Sequence, residues 1–282
     1  MLSLFFPCVR ILFLLLLPFS AGAQSVYLSA AGGYAWSPGT GPDLVLDGYP
    51  YTGSGLNTPG YFTYERPNSS LAAGAFGSLA AGMAVSHNLA MEVTLQQGFQ
   101  NRRYDADAYI LAGAPLRAHI IHYTKNPLFL TPSVLWQRRE HEAKPFLRLG
   151  IVLPLRREII TETFSVRDTV RFYDKREIGT TFSAGFNASA GYSLPLTRYI
   201  AVTATASFTL LSLRVKEALL VASTANSIDL LPSRSLSQTK VEYVEGFYLQ
   251  PQKPDMPGIL PSYRIPFHQF GLQAGMTLNL GE

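Results

Sequence analysis

From Ser25 to Leu280 the apolar residues fall mostly on every second position, the period of a strand with one face in an apolar surround. In the segment Ser25 to Trp36, Val26, Leu28, Ala30, Tyr34 and Trp36 share one parity, and Tyr27, Ser29, Ala31 and Ala35 the other. Ser70 to Val85 repeats the pattern with a face of Ser and Gly. After the short break Ser86-His87-Asn88 comes the clearest case: Leu89, Met91, Val93, Leu95 and Phe99 on one side, Glu92, Thr94, Gln96 and Gly98 on the other. Further segments are predicted ending over Leu128 to Trp136 and over Pro145 to Arg156, Ile178 to Leu194, Tyr199 to Val215 and Tyr263 to Leu280.

These make eight predicted strands, with short turns alternating with long connections at 37–69, 101–126, 157–177 and 216–262. Short turns on one side and long loops on the other are the asymmetry of a barrel that crosses a membrane. The face chemistry agrees: one face carries Leu, Phe, Val and Met, the other Ser, Thr, Gly, Gln, Glu and Arg. A soluble barrel would hide the apolar face inside. The expected fold is therefore all-β: a single antiparallel up-and-down transmembrane β-barrel of eight strands with long extracellular loops. Trp36 is expected at the external rim, and Trp136, Tyr192 and Tyr199 near the inner turns.

The one unbroken apolar run, Ile11 to Phe19, changes the picture of the N-terminus. Arg10 precedes it and Ala21-Gly22-Ala23 follows, so residues 1–23 read as a cleaved signal peptide and 24–282 as the barrel domain. The run is shorter than the roughly 20 residues of a membrane-spanning helix. The chain's single cysteine, Cys8, lies inside the expected signal, which leaves the mature domain without disulfides, cysteine-based metal sites or thiol nucleophiles. Of 23 basic and 19 acidic residues the signal holds one base, so the mature charge is 22 − 19 = +3. The bases are interleaved with acids, as in Arg156-Arg157-Glu158 and Lys175-Arg176-Glu177, which argues against a nucleic-acid face.

The Tyr27 to Trp36 pattern, the Leu128 to Trp136 strand with its Thr131-Pro132-Ser133 step, the Lys144-Pro145-Phe146-Leu147 restart and the alternating last strand resemble the small outer-membrane β-barrel family of PorT-like proteins. More distantly they resemble the eight-stranded OmpA and OmpX type. The resemblance spans Ser25 to Leu280 and carries no catalytic motif. It implies insertion in the bacterial outer membrane, contact with outer-membrane lipids and the outer-membrane assembly machinery, and roles ranging from assembly to adhesion.

On the polar parity, Glu92, Arg148, Arg156, Asn187, Gln269 and Gln273 are expected to form a network inside the barrel, with Glu92 paired to Arg148 or Arg156. Eight strands enclose just enough room for side chains, so buried charges must find partners there. His119 and His122 have ligand-like spacing, but no nearby acid completes a metal site, and no nucleophile-base order is legible. No catalytic residue, cofactor or metal is expected. The connection at 216–262 is rich in proline, and Tyr243, Phe247 and Tyr248 are its candidate binding surface for an extracellular or envelope protein partner. A strand extension through Lys240 to Leu249 is the alternative there. Three functions stand: a non-enzymatic barrel with a plugged interior and binding loops, a narrow pore for small solutes, and a rim-sited hydrolase.

Overall fold

A computed structural model describes residues 25–36, 71, 73–99, 102–112, 114–138, 143–156, 158–167, 169–245 and 253–280. The expected signal over residues 1–23 lies outside them, as do the whole connection 37–69 and both Phe247 and Tyr248. The strands are β1 (Ser25–Trp36), β2 (Gly74–Ala84), β3 (Leu89–Gly98), β4 (Arg102–Ala112), β5 (Ala114–Thr124), β6 (Leu128–Gln137) and β7 (Lys144–Arg156). They continue as β8 (Ile159–Arg167), β9 (Val170–Thr180), β10 (Gly185–Pro195), β11 (Ile200–Leu210), β12 (Ser212–Ala225) and β13 (Ile228–Asp229). After a short helix, α1 (Leu236–Thr239), come β14 (Lys240–Val244), β15 (Gly258–Pro261), β16 (Arg264–Pro266) and β17 (Gln269–Asn279).

Eight of these close into an antiparallel barrel in the order β1-β17-β11-β10-β7-β6-β3-β2. Closure is complete because β1 pairs with β2 on one side and with β17 on the other, which leaves no open edge. Its strands are 10 to 13 residues long, matching the roughly 9–11 that a tilted strand needs to cross a bilayer. The β2–β3, β6–β7 and β10–β11 turns lie at one end together with the first residue of β1 and the last of β17. Short turns of this kind face the periplasm, so the other end is external.

The outer wall is apolar throughout. Leu28, Leu79, Met91, Val134, Leu149, Ile151, Phe208, Leu272 and Met276 all stand exposed on it. Aromatics gather at both rims: Tyr34, Trp36 and Phe270 at the external one, where Tyr34 and Trp36 have ring centroids 5.1 Å apart, and Trp136, Tyr192 and Tyr199 at the inner. These are the interfacial belts of a membrane barrel.

Three of the connections expected to be loops are largely strand. Segments 101–126, 157–177 and 216–262 supply a second sheet, ordered β15-β14-β12-β9-β8-β5-β4, with β13 and β16 also paired to β12. Its β5–β8 and β9–β12 pairings repeat those of β6–β7 and β10–β11 below, so it prolongs the barrel wall outward over the β3 to β11 side. The strands expected to run unbroken over Ile178 to Leu194, Tyr199 to Val215 and Tyr263 to Leu280 are each interrupted where the two sheets meet, at 181–184, 211 and 267–268. Beyond the membrane neither face meets lipid, so the alternation that marks the barrel strands weakens there.

The face chemistry inverts at that junction. Below it the wall is apolar outside and mostly polar inside, apart from a small buried cluster of Ala90, Leu135 and Phe146 packed with Tyr27 near the short turns. Above it Ile159, Ile178, Leu213, Val215, Val241, Tyr243 and Ile265 form a buried apolar cluster, with Leu213, Val215 and Ile265 fully shielded. The cluster continues down into the barrel mouth through Phe129, Val152, Leu211 and Phe267.

Candidate functional site

The barrel lumen is built in three levels. At the external end Phe129 meets Phe267 edge-on, with ring centroids 6.3 Å apart, and Val152 and Leu211 are buried with them. Phe76, on β2, crosses the same end of the lumen over Gly33 and Gly271. Below lies a layer of amides and hydroxyls. There Asn187 Nδ2 donates to Thr209 Oγ1 at 2.9 Å, Gln269 Nε2 reaches the same oxygen at 3.4 Å, and Gln96 and Thr131 complete the ring. Only about 10 Å³ of free space remains at that level, about the room of a single water.

The third level holds the charges. Glu92 is 2% exposed, and its carboxylate gathers three partners from three strands. Tyr27 donates to Oε2 at 3.1 Å, Thr94 donates to Oε1 at 2.9 Å, and Arg148 Nη2 donates to Oε2 at 3.2 Å. Arg148 Nε also lies 3.0 Å from Oε1, bent too far for a hydrogen bond, so that contact is electrostatic. A glycine makes the arrangement possible: Gly82 is paired with both Tyr27 and Glu92, and a Cβ there would strike the Tyr27 ring. Below this network the lumen widens to a cavity of about 240 Å³ whose lining includes Gln273 and reaches the rim at Lys144 and Arg198.

Of the residues expected in the interior network, Glu92 and Arg148 meet, and Asn187 and Gln269 meet one level higher through Thr209. Gln273 lines the cavity without joining either group. Arg156 stands eight residues beyond Arg148 on β7, about 26 Å at 3.3 Å per residue, so it belongs to the external end and not to the Glu92 network. Tyr243, a candidate for the binding loop, is buried on β14 against Tyr263, with ring centroids 5.3 Å apart, which agrees over Lys240–Val244 with the alternative of a strand extension. Its strand carries it into the external core. Tyr27 and Thr94 were legible as partners, since both share the polar parity of their strands. The apolar stopper had a signal too: Phe129, Leu211 and Phe267 are large apolar residues on inward-facing parity.

Outside the membrane, His122 lies on β5, a strand, and its Nδ1 is 2.9 Å from Thr161 Oγ1. Burial lowers its pKa from 6.5 to about 4. Nearby, Tyr123 donates to Glu162 at 2.8 Å, and burial together with that carboxylate raises its pKa to about 12. The described residues contain no cluster of three or more potential metal ligands.

A closed eight-stranded wall that is apolar where it faces outward and charged where it faces its own lumen defines an integral outer-membrane β-barrel. No protein-family model matches the chain, and comparison with curated proteins gives no match. Among solved structures it is similar to Neisserial surface protein A, at 10% identity over 90% of this chain and 96% of that one, with a TM-score of 0.35. It is also similar to the outer membrane protein OprG from Pseudomonas aeruginosa, at 12% identity over 93% and 99%, with a TM-score of 0.43. Scores this low carry no argument, so the class rests on the strand pairing and the inverted faces.

Proposed function

We propose that this is a non-enzymatic barrel, exported by a signal cleaved after residue 23, that conducts no solutes and holds up an external β-structure as a binding platform for an extracellular or envelope protein. The observation that carries the reading is the continuous apolar core running from Phe129 and Phe267 in the barrel mouth to Val241 and Tyr243 above it. A core of this kind fills the external end of the lumen. It also fixes the upper sheet to the barrel, since separating the two would expose side chains worth roughly 1.5–3 kcal/mol each when buried.

A rigid platform needs a contact face. On the upper sheet Phe164 and Val166 stand exposed, and Phe164 lies against Tyr173 with ring centroids 5.0 Å apart. They sit five to seven residues beyond the start of β8, about 16–23 Å along the strand, clear of the lipid belt. Exposed aromatics on a rigid sheet are the residues that anchor protein interfaces.

Planar-bilayer recording on the refolded mature chain tests the sealed lumen: no stepwise conductance is expected, and steady steps would favour the narrow pore. Capture of envelope proteins by the purified barrel, lost on Phe164→Asp with heat-modifiable migration unchanged, tests the platform.

A further inference from the structure

The half of the lumen nearest the short turns is not filled. Its cavity of about 240 Å³ has room for about eight waters at roughly 30 Å³ each, or for one small solute of that size. Among the described residues the charges that line it are unequal: Lys144, Arg148 and Arg198, against the single carboxylate of Glu92. Glu92 is already engaged by Arg148. Among the described residues Lys144 and Arg198 have no carboxylate partner, and the Arg198 guanidinium rests 4.6 Å above the Tyr199 ring.

Both cations lie on the part of the wall made by β7, β10 and β11. Lys144 is the cross-strand partner of Ser193, which in turn pairs with Thr203, so a cation and two hydroxyls stand in a row across β7, β10 and β11. Arg198 belongs to the turn that joins β10 to β11, directly at the rim of this row. Ser193 is buried within the wall and lines the cavity. A pair of cations with no carboxylate partner among the described residues, beside a hydroxyl row, is complementary to an anion that also carries hydroxyls, and low-dielectric walls strengthen that attraction.

We propose that this vestibule binds a small hydroxylated anion from the periplasm, with its phosphate or carboxylate between Lys144 and Arg198 and its hydroxyls on Ser193 and Thr203. The source is a soluble molecule. An unbroken ring of paired strands separates the cavity from the acyl chains, so a lipid could not bring its headgroup inside without leaving the bilayer.

The test is a titration of the refolded mature chain in zwitterionic micelles with glycerol 3-phosphate, followed by NMR shifts of Ser193 and Thr203 or by calorimetry. Saturable one-to-one binding is expected, with glycerol showing none and inorganic phosphate binding several-fold more weakly. The double variant Lys144→Gln/Arg198→Gln should weaken binding at least tenfold while keeping heat-modifiable migration. Equal binding of glycerol, no saturable binding, or an undiminished double variant would each overturn the site. Phosphate binding as tightly as glycerol 3-phosphate would overturn the role of the hydroxyls. Displacement of the probe by dihexanoyl phosphatidylglycerol would overturn the soluble source.

Discussion

Leu210 and Leu211 are neighbours in the chain and face opposite worlds: Leu210 is 41% exposed on the lipid wall, while Leu211 is 2% exposed in the core that fills the external mouth. Every inward position below Leu211 on β11 is hydroxyl or alanine, and Leu213 and Val215 above it are apolar. The adjacent leucines therefore mark the height at which the barrel turns from polar-filled to apolar-filled.

The two positions should respond unequally to substitution. Leu211→Ala removes a buried side chain and should cost about 2–5 kcal/mol. Leu210→Arg, at the lipid boundary, should cost only about 0–1 kcal/mol. Urea unfolding in lipid vesicles measures both, and equal costs would contradict the inversion.

The Glu92–Arg148 pair gives a second prediction. Glu92→Ala strands a guanidinium in the lumen and should cost about 3–5 kcal/mol, whereas Glu92→Leu with Arg148→Met should be close to neutral. The same urea series separates the two cases. A double variant as damaged as the single one would show that the pair contributes net stability beyond mutual neutralisation.

Gly82 should tolerate little. Gly82→Ala would push the Tyr27 ring off Glu92 and should cost at least as much as Tyr27→Phe, which removes one hydrogen bond to a charge, about 1.5–3 kcal/mol. Combining the two changes should give less than their sum, because both break one contact.

The external sheet should loosen in acid. His122 has a folded pKa of about 4 against 6.5 in the unfolded chain, so unfolding takes up a proton between those values. Stability is then full above about pH 6.5, falls as the pH drops toward 4, and levels below, a loss of at most about 3 kcal/mol. Hydrogen exchange in β5 and β8, corrected for intrinsic rates, should speed up over that range in the parent chain and much less in His122→Gln. An unchanged profile in the variant would assign the effect elsewhere.

Much of this was readable from residue order alone. All eight barrel strands follow from alternation, because lipid outside and a wet lumen inside force a strict period of two, and the same parity put Glu92 and Arg148 on one face. The upper sheet was hidden for the converse reason. In β8, β9 and β12 neither face touches lipid, so charged and apolar residues mix, and the segments read as loops. Tyr243 stood between two readings, because a proline-rich stretch containing aromatics fits an exposed loop as well as a strand until β14 and β15 pair and bury it. The shift of apolar residues from even to odd positions between Leu210 and Leu211 was the available clue. It reads as a blemish unless a second core is expected above the first.

The most direct test of the sealed, inward-opening lumen uses the absence of cysteine after residue 23. Thr203→Cys places one thiol on the cavity wall of the mature chain. In uniformly oriented proteoliposomes, a charged, membrane-impermeant maleimide should label it from the side of the short turns and leave it untouched from the external side. Labelling from the external side at a comparable rate would contradict the account.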